Sequence, residues 1–430
     1  MKQGHLILSL GFILLLQSTL NGWAAEEVPL SYHYPLSADE CGSMYVWDVS
    51  MAMCMPLPMA DMPMKMVMLR GNGFGTYISG AGPRGRDAFA GPNMVMLDLG
   101  TTLGDRHYLN LDIMGTLEKW TFPDQGYPLL LQVGESNGNG IPFIDAQHPH
   151  SSPIMGLTVS DTIKLETGRE KDHLKIFFAP RGESTDGPIA FMHRPTGIAN
   201  PDAPLGHHVG QDVGHISSTV IGASLNLNHT RFEVSTFNGQ EPEPTQIDLP
   251  VDVPNSYSLR LIEDFSSTIT GMVSAAYVKD PEHDDPSIPF VTRYSASLYT
   301  RHTLKQWHLY NAFIFGLITQ YAHAASLASF GEEFWLHNSK EMRIFGRLEV
   351  IQRTPHELEI AASDPNSGRW VVATTVGYTH AITQIDEGEI GIGASVTKDF
   401  LPTDYQGTYG GNPWTGKLFL QFSGMKMSHY

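Results

Sequence analysis

The side chains in this sequence best suited to chemistry are metal ligands. Two histidine-bearing stretches stand out: Asp145-Ala-Gln-His-Pro-His150, and a later run carrying His193, His207, His208, Asp212 and His215. Imidazole suits zinc, copper and iron, and a carboxylate can complete a mixed site, so His148, His150, His193, His207, His208, Asp212 and His215 are candidate ligands. A neutral histidine needs a partner on its other ring nitrogen to set its tautomer, and Asp145 or Asp212 could serve. The spacing matches no standard structural zinc pattern. The same residues therefore also read as a polar, hydrogen-bonded cluster holding two loops inside a lumen.

A second source of ligands is a methionine tract. Nine methionines lie between Met44 and Met68, densest in Met51-Ala-Met-Cys-Met-Pro-Leu-Pro-Met59. Thioethers are soft donors that favour Cu(I) over hard cations, which makes Met51, Met53, Met55 and Met59 candidate copper ligands. The competing reading is that Met64, Met66 and Met68 form one face of a first strand and the rest is adaptable apolar filler. Cys41 and Cys54 are the only cysteines. In an oxidising envelope they read as a disulfide, while a free Cys54 would be a soft ligand beside Met53 and Met55. The two states exclude each other. No Gly-x-Ser-x-Gly elbow or Walker pattern is present, so a non-enzymatic protein is expected.

The elements that must position these residues are strands. Charged residues make up only 17% of the chain, hydrophobic ones 41%, with 42 glycines and a formal charge of −18. That acidity argues against nucleic acid as a partner, since there is no basic surface to displace counterions from phosphates. Met1–Lys2 followed by the apolar run Leu6–Leu16, with Gly22 and Ala24 permitting cleavage before Ala25, reads as a signal peptide over residues 1–24. No later stretch of ~20 apolar residues could cross a bilayer as a helix, so a membrane-spanning form would have to be a closed barrel.

Residues 25–63 read as an irregular segment containing the methionines and cysteines. From 64 to 430 the pattern becomes alternation at period two, broken by Gly, Pro, Asn and Asp clusters. Val372, Val376, Tyr378 and Ile382 oppose Ala373, Thr375, Gly377 and Thr379; Ile390, Ile392 and Val396 oppose Glu389, Gly391 and Ser395. Segments of this length, with one apolar and one small or polar face, predict an all-β fold: a single antiparallel transmembrane β-barrel of about 12–16 strands. The last segment alternates Leu418, Leu420 and Phe422 with Phe419, Gln421 and Ser423, though Lys426 and Ser428 fall on its apolar face. A secreted β-sandwich would share the alternation; a propeller would add a fixed repeat, and none is present. Two long loops are expected near 136–154 and 183–214, to lie outside the barrel or fold into its lumen.

The runs Gly140-Ile-Pro-Phe-Ile-Asp-Ala-Gln-His-Pro-His150, Ala190-Phe-Met-His-Arg194 and Asn200-Pro-Asp-Ala-Pro-Leu-Gly-His-His208, with Trp47-Asp48 and Met53-Cys-Met-Pro56, resemble a family of uncharacterised exported bacterial proteins. The resemblance covers residues 40–280 best and implies an outer-membrane β-barrel, without an activity to carry over. The expectation is a barrel of the bacterial outer membrane that binds or passes a transition metal or its complex, copper favoured and zinc next. Its partners would be outer-membrane lipid, a small solute or metal ion, and a second copy of itself. A porin with structural histidine loops is the alternative, and an envelope metalloenzyme using His148, His150 and His193 a third.

Overall fold

The computed structural model describes residues 45–48, 53–56 and 65–429, apart from 138, 151–152, 170, 245, 250, 282–286, 321–323, 339–340 and 386–387. The chain closes into a 16-strand antiparallel barrel. Before it lies a short hairpin, β1 (Tyr45–Asp48) against β2 (Met53–Pro56), with Trp47 opposite Cys54. The segment read as irregular thus contains four-residue strands, too short to display a period.

The barrel runs through β3 (Lys65–Gly80), β5 (Asn93–Leu103), β6 (His107–Gly115), β9 (Ile154–Lys164), β10 (His173–Gly182), β11 (Ser217–Leu227), β12 (Thr230–Asn238) and β13 (Ser256–Ser266). It continues with β14 (Ile269–Lys279), β15 (Phe290–Leu304), β16 (Trp307–Thr319), β17 (Ser326–Asn338), β18 (Met342–Arg353), β19 (Arg369–Ile385), β20 (Gly388–Phe400) and β21 (Trp414–His429). Neighbours in sequence pair in space, and β21 returns to β3 from Thr415↔Gly80 to His429↔Met66, which leaves no open edge. A short β4 (Asp87–Ala90) pairs with the end of β3; the break before β5 falls at Pro92, which has no N–H to donate to the ladder.

The barrel is apolar outside and polar inside, as the alternation predicts. Val159, Val376 and Leu418 are 53%, 50% and 63% exposed on the outer face, whereas Ser395, Thr375 and Gln421 are buried on the inner one. The two ends differ. At the end holding Lys65 and His429, strands join through two- or three-residue turns, including Asn228–His229 and Lys305–Gln306, with Asn228 and Lys305 at positive φ; the one longer link there is the eight residues 165–172 between β9 and β10. The other end carries the longest connections.

Two of these connections enter the lumen. The first spans 116–153 and so begins well before residue 136. It holds a helical turn, α1 (Glu118–Thr121), and a hairpin of β7 (Tyr127–Ser136) with β8 (Pro142–Gln147) that pairs only with itself. Strand β7 was illegible because Tyr127–Val133 is buried on both faces, so its alternation is lost. The second, 183–216, contains α2 (Pro195–Ile198) and a distorted turn over His207–Gln211. That turn reaches across the lumen to β16 and β17. Contact there is backbone to backbone: a Cβ on Gly210 would stand 2.7 Å from the Leu317 nitrogen, and one on Gly316 would stand 2.3 Å from the Val209 oxygen.

Candidate metal centre in the lumen

Wall side chains hold both connections. Arg353 donates to the carbonyls of Leu131 (2.9 Å) and Leu205 (2.6 Å), tying the two inserts to one guanidinium. Glu333 takes two bonds from Arg194 (3.1 and 2.9 Å) and one from Arg347 at 3.1 Å. Asp202 accepts from Tyr127 (2.7 Å) and pairs with Lys417 at 2.5 Å. Ser235 accepts from the Thr185 N–H, Ser258 meets the Thr185 hydroxyl, and Ser274 accepts from the Gly187 N–H. These groups are buried, and paired charges in such a site are tolerated only because each finds its partner.

Clamped in this way, the inserts bring His148, His150, His207, His208 and His215 together, all buried. Ring centroids of His207 lie 4.5 Å from His208 and 4.7 Å from His215; His150 and His215 are 5.1 Å apart. Nε2 of His148 faces Nε2 of His208 at 3.2 Å. Two sets of ligand atoms, His148/His207/His208 and His150/His207/His215, each lie within 4.8 Å of one another and share His207.

The other ring nitrogens decide what these rings can do. Nδ1 of His148 is 3.1 Å from the Pro149 carbonyl, Nδ1 of His215 is 2.6 Å from the Asp212 carbonyl, and Nδ1 of His150 is 2.6 Å from Glu118 Oε2. A carbonyl only accepts, so His148 and His215 carry their proton on Nδ1 and present a bare Nε2. Glu118 does the same for His150 and also accepts that residue's backbone N–H at 2.8 Å. Histidines that ligate metals are held in this way. Nε2 of His215 and Nδ1 of His207 are buried with no hydrogen-bond partner.

Burial keeps four of these rings, His148, His207, His208 and His215, neutral. Burial pushes His148 and His215 down to about 3, with His150 adding to the effect and the Pro149 and Asp212 carbonyls opposing it. Burial, then the neighbouring histidines, also drive His207 and His208 well below the usual range. Neutral imidazole is the form that donates a lone pair to a metal. In tetrahedral zinc with bonds of ~2.0–2.1 Å, ligand nitrogens stand roughly 3.3 Å apart. The His148–His208 pair has that spacing, and the ligand atoms of each set lie within 4.8 Å of one another.

The other candidates are placed differently. His193 Nε2 lies 2.8 Å from Glu183, and His193 belongs to neither set of three. The grouping of His148, His150 and His193 required by the metalloenzyme alternative is therefore not the one assembled. The carboxylate of Asp212 accepts from the Phe191 N–H at 2.7 Å and sits 3.8 Å from Arg194; only its carbonyl serves the cluster. Asp145 binds Arg84, Tyr409 and the Leu131 N–H, and so supports the β7–β8 hairpin instead of a histidine. Met51, Met59 and Cys41 lie outside the described residues. Met53, Met55 and Cys54 are described only as backbone of β2.

Two contributors had no sequence signal. Glu118 lies 32 residues from His150, on a helical turn before the first expected loop. Gly134, at φ 130°, leaves room for His208: a Cβ there would lie 2.4 Å from its Nε2.

No protein-family model matches this chain, and no curated protein matches it. Among solved structures it is similar to the outer membrane channel DcaP of Acinetobacter baumannii. The TM-score is 0.47 at 10% identity, over 84% of this chain and 96% of that one. It is also similar to OmpF of Salmonella typhi in complex with daunomycin (TM-score 0.47, 7% identity, 83% and 97% covered). A third is OmpTdeltaL8, a loop-deletion mutant of an outer membrane protein of Vibrio cholerae (TM-score 0.46, 6% identity, 84% and 98% covered). The barrel assignment rests on the strand pairing itself, and these distant likenesses add nothing about activity.

Proposed function

We propose that this chain is a non-enzymatic β-barrel of the bacterial outer membrane whose luminal histidine centre binds a transition metal. Membrane residence is supported by the outer face, where Leu259, Val273, Phe313, Phe330, Leu348 and Ile392 are exposed on a wall with no open edge. Bacterial barrels place short turns in the periplasm and long loops outside. By that rule the inserts enter from the extracellular side, and the first residue of β3 and the last of β21 lie at the periplasmic end.

The observation that carries the metal reading is the convergence of ring nitrogens in two sets of three that share His207, with Nδ1 of His148, His150 and His215 each tied to an oxygen. Imidazole donors suit copper and zinc, and copper is favoured because the chain is also rich in thioethers. The protein's residues would hold the ion, exclude bulk water through the packed inserts and keep the rings deprotonated. The metal would supply the bonds that draw the two inserts together.

The test is metal retention. Detergent-purified full-length chain, loaded with Cu(II) or Zn(II) and dialysed, should keep metal that His207→Ala loses while heat-modifiable migration is unchanged. Equal retention by both proteins would refute the centre. A plain porin would instead conduct in planar bilayers with a current indifferent to metal and to His148→Ala or His207→Ala.

A further inference from the structure

The chain's methionines are segregated within the barrel. Of the eleven between Lys65 and His429, nine line one sector of the lumen; Met272 and Met342 are the others. Near the short-turn end, Met66 and Met68 of β3 pack with Met425 and Met427 of β21 around Tyr108, whose hydroxyl lies 3.8 Å from Met66 Sδ. Deeper in, Met94, Met96, Met114 and Met155 of β5, β6 and β9 pack with Met192 of the second insert.

Strand register joins the two groups. Met68 is opposite Met427, Arg70 is opposite both Met425 and Met96, and Met96 is opposite Met114. Arg70 is the one cation in this row, and Asp98 and Asp112, paired across β5 and β6, share its inner face. At the far end, Met94, Met155 and Met192 line one cavity with Glu118 and His150, so thioethers and the histidine centre share a wall.

Apolar packing alone does not account for this arrangement. The outer faces of the same strands use Val67, Leu69, Leu97, Leu109 and Val159, with no methionine. Elsewhere the inner wall uses serine, as at Ser235, Ser258, Ser274, Ser295 and Ser329. Nine of these eleven methionines thus lie in the lumen on one side of it, while Met272 packs in another cluster and Met342 faces outward. Thioether sulfur is uncharged, polarisable and soft, and its flexible side chain lets several sulfurs converge on one ion.

We propose that this methionine sector binds a soft monovalent cation, Cu(I) or its analogue Ag(I), and links the short-turn mouth of the barrel to the histidine centre. The proposal deepens the metal reading of that centre by naming the class of ion, and depends on it only for where the ion is delivered. No change of oxidation state is involved: the ion exchanges one set of sulfur donors for the next.

The experiment uses full-length protein in detergent and halide-free buffer, loaded with Ag(I), with bound equivalents counted and silver–sulfur ligation read by X-ray absorption. The triple variant Met94→Leu, Met96→Leu, Met114→Leu nearly conserves volume and apolarity, so it should fold and migrate as the parent does. It should lose at least one equivalent of Ag(I) and the matching sulfur signal. Met342→Leu, which changes an outward-facing residue, should lose nothing. The N-terminal methionines are present in all three proteins and contribute equally.

Unchanged Ag(I) stoichiometry in the triple variant would overturn the proposal. So would a parallel loss of Zn(II), because that would mean the substitutions had disturbed the fold. If the parent binds Ag(I) through Met94, Met96 and Met114 but retains no Zn(II), the methionine site stands and its histidine destination falls.

Discussion

Nε2 of His148 and Nε2 of His208, 60 residues apart in sequence and on different inserts, face each other at 3.2 Å. The Nδ1–H of His148 donates to the Pro149 carbonyl, which leaves its Nε2 bare, so this contact needs either an N–H from His208 or an ion shared by the two rings. Several consequences can be measured.

His207 belongs to both sets of converging ligands, and His193 to neither. His207→Ala should abolish retention of Zn(II) or Cu(II), while His193→Ala should leave it within a fewfold of the parent. Isothermal titration on the purified barrels separates the two. Similar losses in both variants would mean that the cluster is not the site.

Glu118 orients His150 from the side away from the other rings. Glu118→Gln keeps the shape but removes the charge, and partners of this kind typically contribute 10–100-fold in metal affinity. The expected result is a loss in that range with the barrel intact by circular dichroism. An unchanged dissociation constant would remove Glu118 from the site.

Gly134→Ala places a methyl group 2.4 Å from His208 Nε2, on a backbone at φ 130° that L-residues avoid. Strain at such a position costs about 1–3 kcal/mol. The variant should displace His208, lower the unfolding midpoint and weaken metal binding together. Gly104→Ala also has positive φ but meets no atom within 4 Å, and should change stability alone.

Acid should loosen the inserts. The folded-state values of His148 and His215 are lowered to about 3, so the unfolded chain takes up protons before the folded one does. Their contribution is complete above about pH 6.5 and declines as the pH falls toward 3. At pH 5 the loss is roughly 2 kcal/mol for each group. Protease sensitivity of the inserts, measured from pH 8 to pH 4, should rise in the parent and rise less in His148→Asn/His215→Asn.

Arg194 and Glu333 make a two-bond pair that fixes the second insert to β17. Removing one partner of a buried pair costs about 3–5 kcal/mol. Glu333→Gln should free the insert without opening the wall, which would appear as larger single-channel conductance and unchanged heat-modifiable migration. A conductance equal to the parent's would show that the insert is held without this pair.

Local sequence sufficed for the wall of the barrel. Strands such as Arg369–Ile385 and Gly388–Phe400 carry one face toward an apolar exterior and the other toward a polar interior, and that contrast repeats every second residue. The histidine loops were also legible as candidate ligands, since five of the residues that converge were named from type and clustering. Three things were decided only by the tertiary structure. Strand β7 has no contrasting faces because the lumen buries both, so its run of leucines gave no period. Glu118 and Gly134 act across distances in sequence that no local pattern encodes. The luminal methionines alternate as any strand residues do; only closure of β21 onto β3, and entry of the inserts, places their sulfurs in one sector beside His150. Periodicity records which face a residue takes, and barrel closure determines what shares that face.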